Sequence, residues 1–221
     1  GAIRSAYDFH WQRFLFDHFP KGTGFPALQA PALPQDLPLA DVAAYSIDDS
    51  QTTEIDDAFS VVPRPDGSMR VGIHIAAPGL GFGPESDLGR IARHRLSTVY
   101  MPGRKITMLP EDVVGTFSLN EGAERTAVSL YLDVSESDLS IRGHHSRLER
   151  VHVTRNLRHA DYGVLNDTLP AGTLAGLEYE AELAILWRFA NSLEARRGRP
   201  SVNTGLLDYS FSVEGERVTI V

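Results

Sequence analysis

The 221-residue chain contains no cysteine. This absence excludes disulfide bonds, cysteine nucleophiles and zinc sites built from thiolates. Any metal ion bound here must therefore be held by oxygen or imidazole ligands. Long apolar runs are also lacking, since none approaches the roughly 20 residues of a membrane-spanning helix. There is no charged-then-apolar leader, so we expect a cytoplasmic protein with no membrane partner.

Lysine is scarce, because only Lys21 and Lys105 are lysines among the 21 Lys and Arg residues. The formal net charge of −8, taken alone, argues against nucleic acid as the partner. Arginine pairs bidentately with phosphate oxygens, so its excess fits an RNA-binding protein, although genome composition also explains it. The net charge therefore does not identify the binding partner, which depends on where charged residues cluster.

The spacing of apolar residues predicts both helices and strands. The predicted helices cover residues 8–19, 85–96 and 177–197, and the predicted strands cover 42–47, 58–62, 69–76, 126–134 and 139–153. Such a mixture indicates an α+β (mixed α/β) fold. Frequent prolines predict that residues 1–40 form a helix and an extended linker, followed by a compact domain over 41–221. Because a predicted hairpin ends this domain at the last residue, we interpret the domain as truncated, with its C-terminal part missing.

Five acidic residues lie within ten positions between the first two predicted strands: Asp48, Asp49, Glu54, Asp56 and Asp57. A loop between neighbouring strands brings its ends together, and two charges about 4 Å apart repel by roughly 4 kcal/mol at an effective dielectric of 20. A divalent cation would relieve this repulsion. Carboxylate oxygens suit Mg²⁺ or Mn²⁺, and such sites typically carry out phosphoryl chemistry.

Two other interpretations of this segment have to be weighed. A calcium-binding EF-hand loop is excluded, because the required glycine is missing at its sixth position and helices do not flank it. A solvated acidic surface loop remains open on spacing alone.

The segment Tyr45–Val61 closely resembles the first catalytic motif of the ribonuclease II (RNB) family. In the family this motif has the form Thr/Ser-Ile-Asp, a short polar stretch, and then Asp-hydrophobic-Asp-Asp-Ala. Further blocks similar to those of the family follow in the same order: Val71–Ala76, Ser97–Pro110, and Ser118-Leu119 with Arg125. The resemblance implies the N-terminal part of an RNB-type catalytic domain, a mixed sheet with packed helices.

By this resemblance, four acidic residues occupy the family's catalytic, metal-binding positions: Asp48, Glu54, Asp56 and Asp57. It implies a Mg²⁺-dependent enzyme (with Mn²⁺ as a substitute) that hydrolyses single-stranded RNA from the 3′ end and releases nucleoside 5′-monophosphates. We expect the intact protein to be a monomer. The expected RNA-binding residues are Tyr100, which would stack on bases, and Arg104, Lys105, Arg125 and His159.

Three positions depart from the family pattern. Glu54 replaces the usual aspartate, Ala77 replaces an aspartate, and His159 replaces a tyrosine that clamps the last nucleotide. An arginine and a glutamate that the family uses further along the domain find no match in this chain. The alternative hypothesis is therefore a non-catalytic RNA-binding module on the same fold.

Basic residues also surround Tyr100: Arg90, Arg93, His94, Arg95, Arg104 and Lys105. Basic groups interleaved with an aromatic residue favour a groove for an RNA backbone, whereas the alternative is an exposed helix face. His74 lies inside an apolar strand, and we predict a hydrogen-bonded core residue there rather than a ligand.

Overall fold

The structure is a computed structural model, and it describes residues 4–49, 52–101, 103–158, 178–197, 211–214 and 217–220. The described helices are α1 Ala6–His18, α2 Asp87–Arg95, α3 Glu111–Phe117 and α4 Glu180–Arg196. The described strands are β1 Leu39–Asp48, β2 Asp57–Pro63, β3 Ser68–Ala76, β4 Val99–Met101, β5 Arg104–Ile106, β6 Ala123–Ser135, β7 Ile141–Arg158, β8 Phe211–Glu214 and β9 Arg217–Ile220. None of these helices is long and apolar enough to cross a membrane.

The strands β1, β2, β3, β6 and β7 form a closed barrel in that order. Neighbouring strands run antiparallel, except that β1 and β7 pair in parallel and close the barrel. This mixed pairing, together with the helices, confirms the predicted α+β class. All the predicted helices and strands are found within a few residues, while α3 and the β4–β5 hairpin were not predicted, because elements this short carry little periodic signal.

The turn between β2 and β3 follows directly from its sequence. Gly67 has a φ of +72°, a conformation that glycine adopts without steric strain. The carboxylate of Asp66 accepts hydrogen bonds from the backbone N–H of Ser68 at 3.0 Å and from its hydroxyl at 2.6 Å. These contacts fix the register of the hairpin, in which Val61 lies opposite Val71.

Small and polar side chains lie around a buried histidine within the barrel sheet. His74 is fully buried, and its ring nitrogens lie 2.9 Å from the hydroxyl of Ser60 and 2.8 Å from that of Ser129. A Cβ atom at Gly72 would lie 2.7 Å from Nε2 of His74, so only glycine leaves room for this ring. Burial lowers the pKa of His74 to about 4, although the charge of Glu149 opposes the shift. The prediction of a hydrogen-bonded core histidine is confirmed.

Helix α4 packs on the apolar face of the barrel strands. Phe189 of the helix joins a buried cluster with Met69, Val71 and Val134. Trp187, on the same helix, lines an apolar cavity of about 320 Å³ between α4 and the strands. The burial of these side chains supplies most of the stabilisation of such a packed helix, because burying a large apolar side chain contributes about 1.5–3 kcal/mol.

The chain divides into two compact units, each described by itself. One unit contains the barrel and α4. The other contains α1, α2, the β4–β5 hairpin and the β8–β9 hairpin, whose antiparallel pairing agrees with the predicted hairpin near the end of the chain. The division into residues 1–40 and 41–221 concerns the domains of the whole protein and stays a prediction.

Candidate active site

The acidic segment connects two neighbouring strands of the barrel. β1 ends at Asp48 and β2 begins at Asp57, and the two strands pair antiparallel, with Tyr45 opposite Phe59. Because the two strands are antiparallel neighbours, the last residue of β1 and the first residue of β2 lie at the same end of the barrel. The carboxylates of Asp48 and Asp57 are consequently near each other.

The pKa of the Asp57 carboxyl group reflects its proximity to Asp48. Its pKa is raised above the ordinary value for aspartate, first by partial removal from water and second by the negative charge of Asp48. Two carboxylates that repel each other favour a cation between them.

Asp48 is held by a chain of hydrogen bonds that reaches the neighbouring strand β7, where Asn156 lies opposite Ser46. The hydroxyl of the buried Ser46 donates to the carboxylate of Asp48 at 2.5 Å. The side-chain amide of Asn156 donates to Ser46 Oγ and to the carbonyl of Leu119, both at 2.9 Å. Its own oxygen accepts from the backbone N–H of Glu121 at 2.9 Å. This role of Asn156 was not predicted from the sequence.

The part of the segment between Glu54 and Asp56 is anchored by Ile55, which is 1% exposed. The backbone N–H of Ile55 donates to Ser118 Oγ at 2.7 Å, and its carbonyl accepts from the backbone N–H of Leu119 at 2.9 Å. The Ser-Leu element of the sequence is therefore a structural support of the acidic segment. Because Ile55 is fixed in the core, Glu54 and Asp56 are held on either side of it.

Arg158 holds the beginning of the acidic segment. It lies opposite Asp48 in the parallel pairing of β1 and β7. One guanidinium nitrogen donates to the carbonyls of Asp49 at 2.9 Å and of Thr52 at 3.1 Å. A single side chain thus ties together the two ends of the turn that follows β1, which was also not foreseen from the sequence.

The predicted convergence of four carboxylates is not found in full. Asp56 is exposed and Glu54 is half-buried, and the backbone carbonyl of Asp56 accepts from the N–H of Ala76 at 2.8 Å. In the part of the chain that the structure describes, no three His, Asp or Glu side chains lie together as a metal-binding group. Mutual repulsion among carboxylates opposes such a grouping.

A magnesium ion nevertheless fits the residues present. Mg²⁺ is usually bound by one or two carboxylates, and waters and substrate phosphates supply its other ligands. Asp48 and Asp57 provide two neighbouring carboxylates whose repulsion is expressed in the raised pKa of Asp57. The donors are hard oxygen atoms, as this cation requires.

The predicted RNA-binding residues divide between the two units. In the barrel unit, Arg125 donates to the carbonyl of Ser118 at 3.0 Å and to that of Glu124 at 3.2 Å, so it supports the residue that anchors Ile55. In the other unit, Tyr100 is 69% exposed. Tyr100 lies opposite the exposed Lys105 in the β4–β5 hairpin.

Arg104 has a structural contact of its own, because its guanidinium lies over the ring of Trp11 at 4.9 Å and over that of Tyr7 at 5.9 Å. His159 lies outside the described residues. The RNA contacts of all five residues stay predictions.

Sequence comparison identifies relatives of this chain among known proteins. Exoribonuclease 2 of Vibrio parahaemolyticus is 30% identical over 169 residues, which are 71% of this chain and 25% of that protein. The chain spans only 9–25% of the length of curated relatives such as this one.

Two solved structures share the fold. Yeast Ssd1, described as a pseudonuclease, superposes with a TM-score of 0.74 at 20% identity, over 91% of this chain and 26% of Ssd1. RNase R of Mycoplasma genitalium in complex with ribose-methylated single-stranded RNA superposes with a TM-score of 0.68 at 16% identity, over 85% of this chain and 30% of RNase R.

A match to the family described as RNB domain extends over residues 36–220 and so contains the whole barrel, the acidic segment and α4. The resemblance inferred from the motifs and the match over most of the chain agree. The chain belongs to the RNB domain family.

Proposed function

We propose that this chain is part of an exoribonuclease that hydrolyses single-stranded RNA from its 3′ end and releases nucleoside 5′-monophosphates. The observation that carries the proposal is the nearness of Asp48 and Asp57, the last residue of one barrel strand and the first residue of the next. The name of the Vibrio relative, an exoribonuclease, and the RNA bound to RNase R support the substrate class.

Mg²⁺ would be held by Asp48 and Asp57, with Glu54 and Asp56 as the other acidic residues of the site. When bound, this cation polarises the phosphodiester and lowers the pKa of a water molecule. The chain's own residues keep the carboxylates in place. Ser46 and Asn156 orient Asp48, and Ile55 and Ser118 fix the segment that carries Glu54 and Asp56.

A non-catalytic RNA-binding module is the second candidate. It is favoured by the fold shared with Ssd1, a pseudonuclease, and by the absence of a group of three metal-ligating side chains among the described residues. The sequence departures at Glu54, Ala77 and His159 point the same way. Against it stands the retention of acidic residues at all four catalytic positions of the family.

The variant Asp56→Asn, made in the protein that carries this chain, separates the two candidates. The substitution is isosteric, so we expect it to fold and to bind RNA as before. Release of 5′-UMP from a single-stranded oligouridine in Mg²⁺ should fall about a hundredfold or more, because the family resemblance implies a metal-binding role for Asp56 and such a contribution amounts to several kcal/mol.

Asp66→Asn, in the exposed turn after β2, is the matched control and should leave the rate unchanged. A wild-type protein that binds the oligonucleotide in Mg²⁺ or Mn²⁺ but releases no mononucleotide would overturn the proposed hydrolysis and favour the binding module.

A further inference from the structure

A second polar site lies in the unit that contains α1 and α2. A pocket of about 390 Å³ opens between the end of α1, the loop after it and helix α2. Its charged and imidazole-bearing lining residues are His18, Lys21, Arg90, His94 and Arg95. Among the residues that the structure describes, no acidic side chain lines it. The whole chain has a net charge of −8. A pocket lined by three cations and two imidazoles is therefore a positively charged region in a negatively charged chain.

Arg95 builds one wall of the pocket. Its guanidinium donates to the carbonyls of Thr23 at 2.8 Å, Gly24 at 2.9 Å and Thr107 at 2.8 Å. It also lies 3.7 Å from the centre of the Phe25 ring. These contacts hold the loop after α1 against the end of α2, and they form this wall of the pocket.

The charge of Arg95 is not balanced by a carboxylate in the part of the chain that the structure describes. All its contacts there are neutral: three carbonyls and the rings of Phe19 and Phe25. Partial burial accordingly lowers the pKa of this guanidinium. A partly buried cation without a counter-ion favours the binding of an anion from solution.

Arg90 is the residue on α2 best placed to bind such an anion. It pairs with Asp87 at 2.6 Å, but both side chains are more than half exposed, and exposed pairs of this kind contribute little. A phosphate can therefore compete for its guanidinium. Lys21, in the part of the loop after α1 that lines the pocket, is exposed and adds a second cation with flexible reach.

We propose that this pocket binds a backbone phosphate of single-stranded RNA. Arginine and lysine with neighbouring imidazoles match the charge and the hydrogen-bonding capacity of a phosphodiester. The half-buried Phe19, which also lines the pocket, offers a ring beside it. The identity of the ligand as RNA rests on the proposed function, whereas the affinity of the pocket for phosphate rests on the pocket alone.

The test compares two arginines on one helix. Arg90 and Arg93 are 59% and 62% exposed and each pairs with one acidic residue, but only Arg90 lines the pocket. Of the basic residues around Tyr100, Arg93 thus fits the alternative of an exposed helix face. Binding of a fluorescent single-stranded oligouridine is measured by anisotropy in the Asp56→Asn background, where cleavage does not interfere. Arg95 is left unchanged, because its loss would open the wall of the pocket.

We expect Arg90→Gln and Lys21→Gln each to weaken RNA binding about tenfold. Each should reduce the slope of log K against log salt concentration by about 0.7, the value for one lost phosphate contact on a single strand. Arg93→Gln should leave both quantities at the parental values. Equal effects of Arg90→Gln and Arg93→Gln would overturn the proposal, because they would indicate a general attraction to a basic helix.

A free phosphate is the other source of the same chemistry. Inorganic phosphate and 5′-UMP are titrated separately into the wild-type protein and into Arg90→Gln by calorimetry. If they bind the wild-type pocket while RNA affinity is insensitive to Arg90→Gln and Lys21→Gln, RNA is not the ligand and the proposal is overturned. Failure of the proposed hydrolysis appears instead as absent 5′-UMP release, with these binding differences intact.

Discussion

The side-chain amide of Asn156 donates a 2.9 Å hydrogen bond to the hydroxyl of Ser46, which in turn donates to the carboxylate of Asp48. This relay connects the end of β7 with the end of β1. Asn156 touches no reacting group, so its role is to position a carboxylate through an intermediate hydroxyl. Such supporting residues commonly change metal affinity or activity by 10–100-fold, on the order of one to three kcal/mol.

We predict that Asn156→Ala lowers the rate of mononucleotide release about tenfold or more and raises the Mg²⁺ concentration needed for half-maximal activity. The RNA affinity of the protein should stay the same, because the substitution does not remove a cation. Rates are measured across a Mg²⁺ titration. Arg147→Ala, an exposed residue of the same strand, serves as the control; a loss confined to RNA affinity in Asn156→Ala would contradict the positioning role.

His74 makes the stability of the fold dependent on pH. Its pKa is about 4 in the folded protein and about 6.5 in an unfolded chain. Between these values the unfolded state binds more protons than the folded state, so stability falls as the pH decreases. The stabilisation is complete above about pH 6.5, and roughly 3 kcal/mol of it is lost by pH 4.

We predict that this pH-dependent part is missing from His74→Gln. The free energy of unfolding is measured by urea denaturation at several pH values from 7 to 4, and the difference between wild type and variant is plotted against pH. The wild type should lose its advantage progressively below pH 6.5. His144→Gln, at an exposed position on β7, should follow the wild type, and a difference that stays constant with pH would contradict the assignment.

Glycine is required at position 72 by its neighbours. A Cβ there would collide with the hydroxyl of Ser60 and with the ring of His74. We predict that Gly72→Ala lowers the free energy of unfolding by roughly 1–3 kcal/mol, as overpacking does. Gly143→Ala is the matched control, because its Cβ would meet only a carboxylate oxygen of Asp133 at 3.6 Å; equal destabilisation by both variants would show that packing at residue 72 is not the cause.

Arg158 restrains the turn after β1 through two carbonyls, those of Asp49 and Thr52. We predict that Arg158→Gln increases hydrogen exchange in peptides covering residues 49–54 without a comparable increase in β2 or β3. Local opening of this kind requires far less free energy than global unfolding. Arg155→Gln, an exposed neighbour on the same strand, should leave the exchange of that turn as it is.

The sequence predicted those features that depend on near neighbours in the chain. The β2–β3 hairpin follows from its turn residues, and the proximity of Asp48 and Asp57 follows from a loop between adjacent strands. Closure of the barrel by β7 was not predicted, because parallel pairing with β1 leaves no local pattern. For the same reason Asn156 and Arg158 were missed, since each contacts a residue more than one hundred positions away.

The sequence predicted that four carboxylates converge, whereas the structure brings Asp48 and Asp57 near each other and does not gather all four. The prediction assumed that spacing along a loop fixes the side chains, yet the buried Ile55 determines how the loop is seated. Which of the acids meet thus depends on a core contact with Ser118 and Leu119. That contact is made over 63 positions of sequence, beyond the range of spacing arguments.

The parallel seam between β1 and β7 also has a kinetic consequence. Asn156 and Ser46 are 110 positions apart, and strand pairs of such long range form slowly, because the entropy of closing the intervening loop must be overcome first. During synthesis, the barrel strands β1, β2, β3 and β6 can pair before β7 has emerged. At that stage Asn156 is not yet in place to support Asp48 through Ser46. Nascent chains therefore acquire the ordered acidic end only when the last strand of the barrel docks.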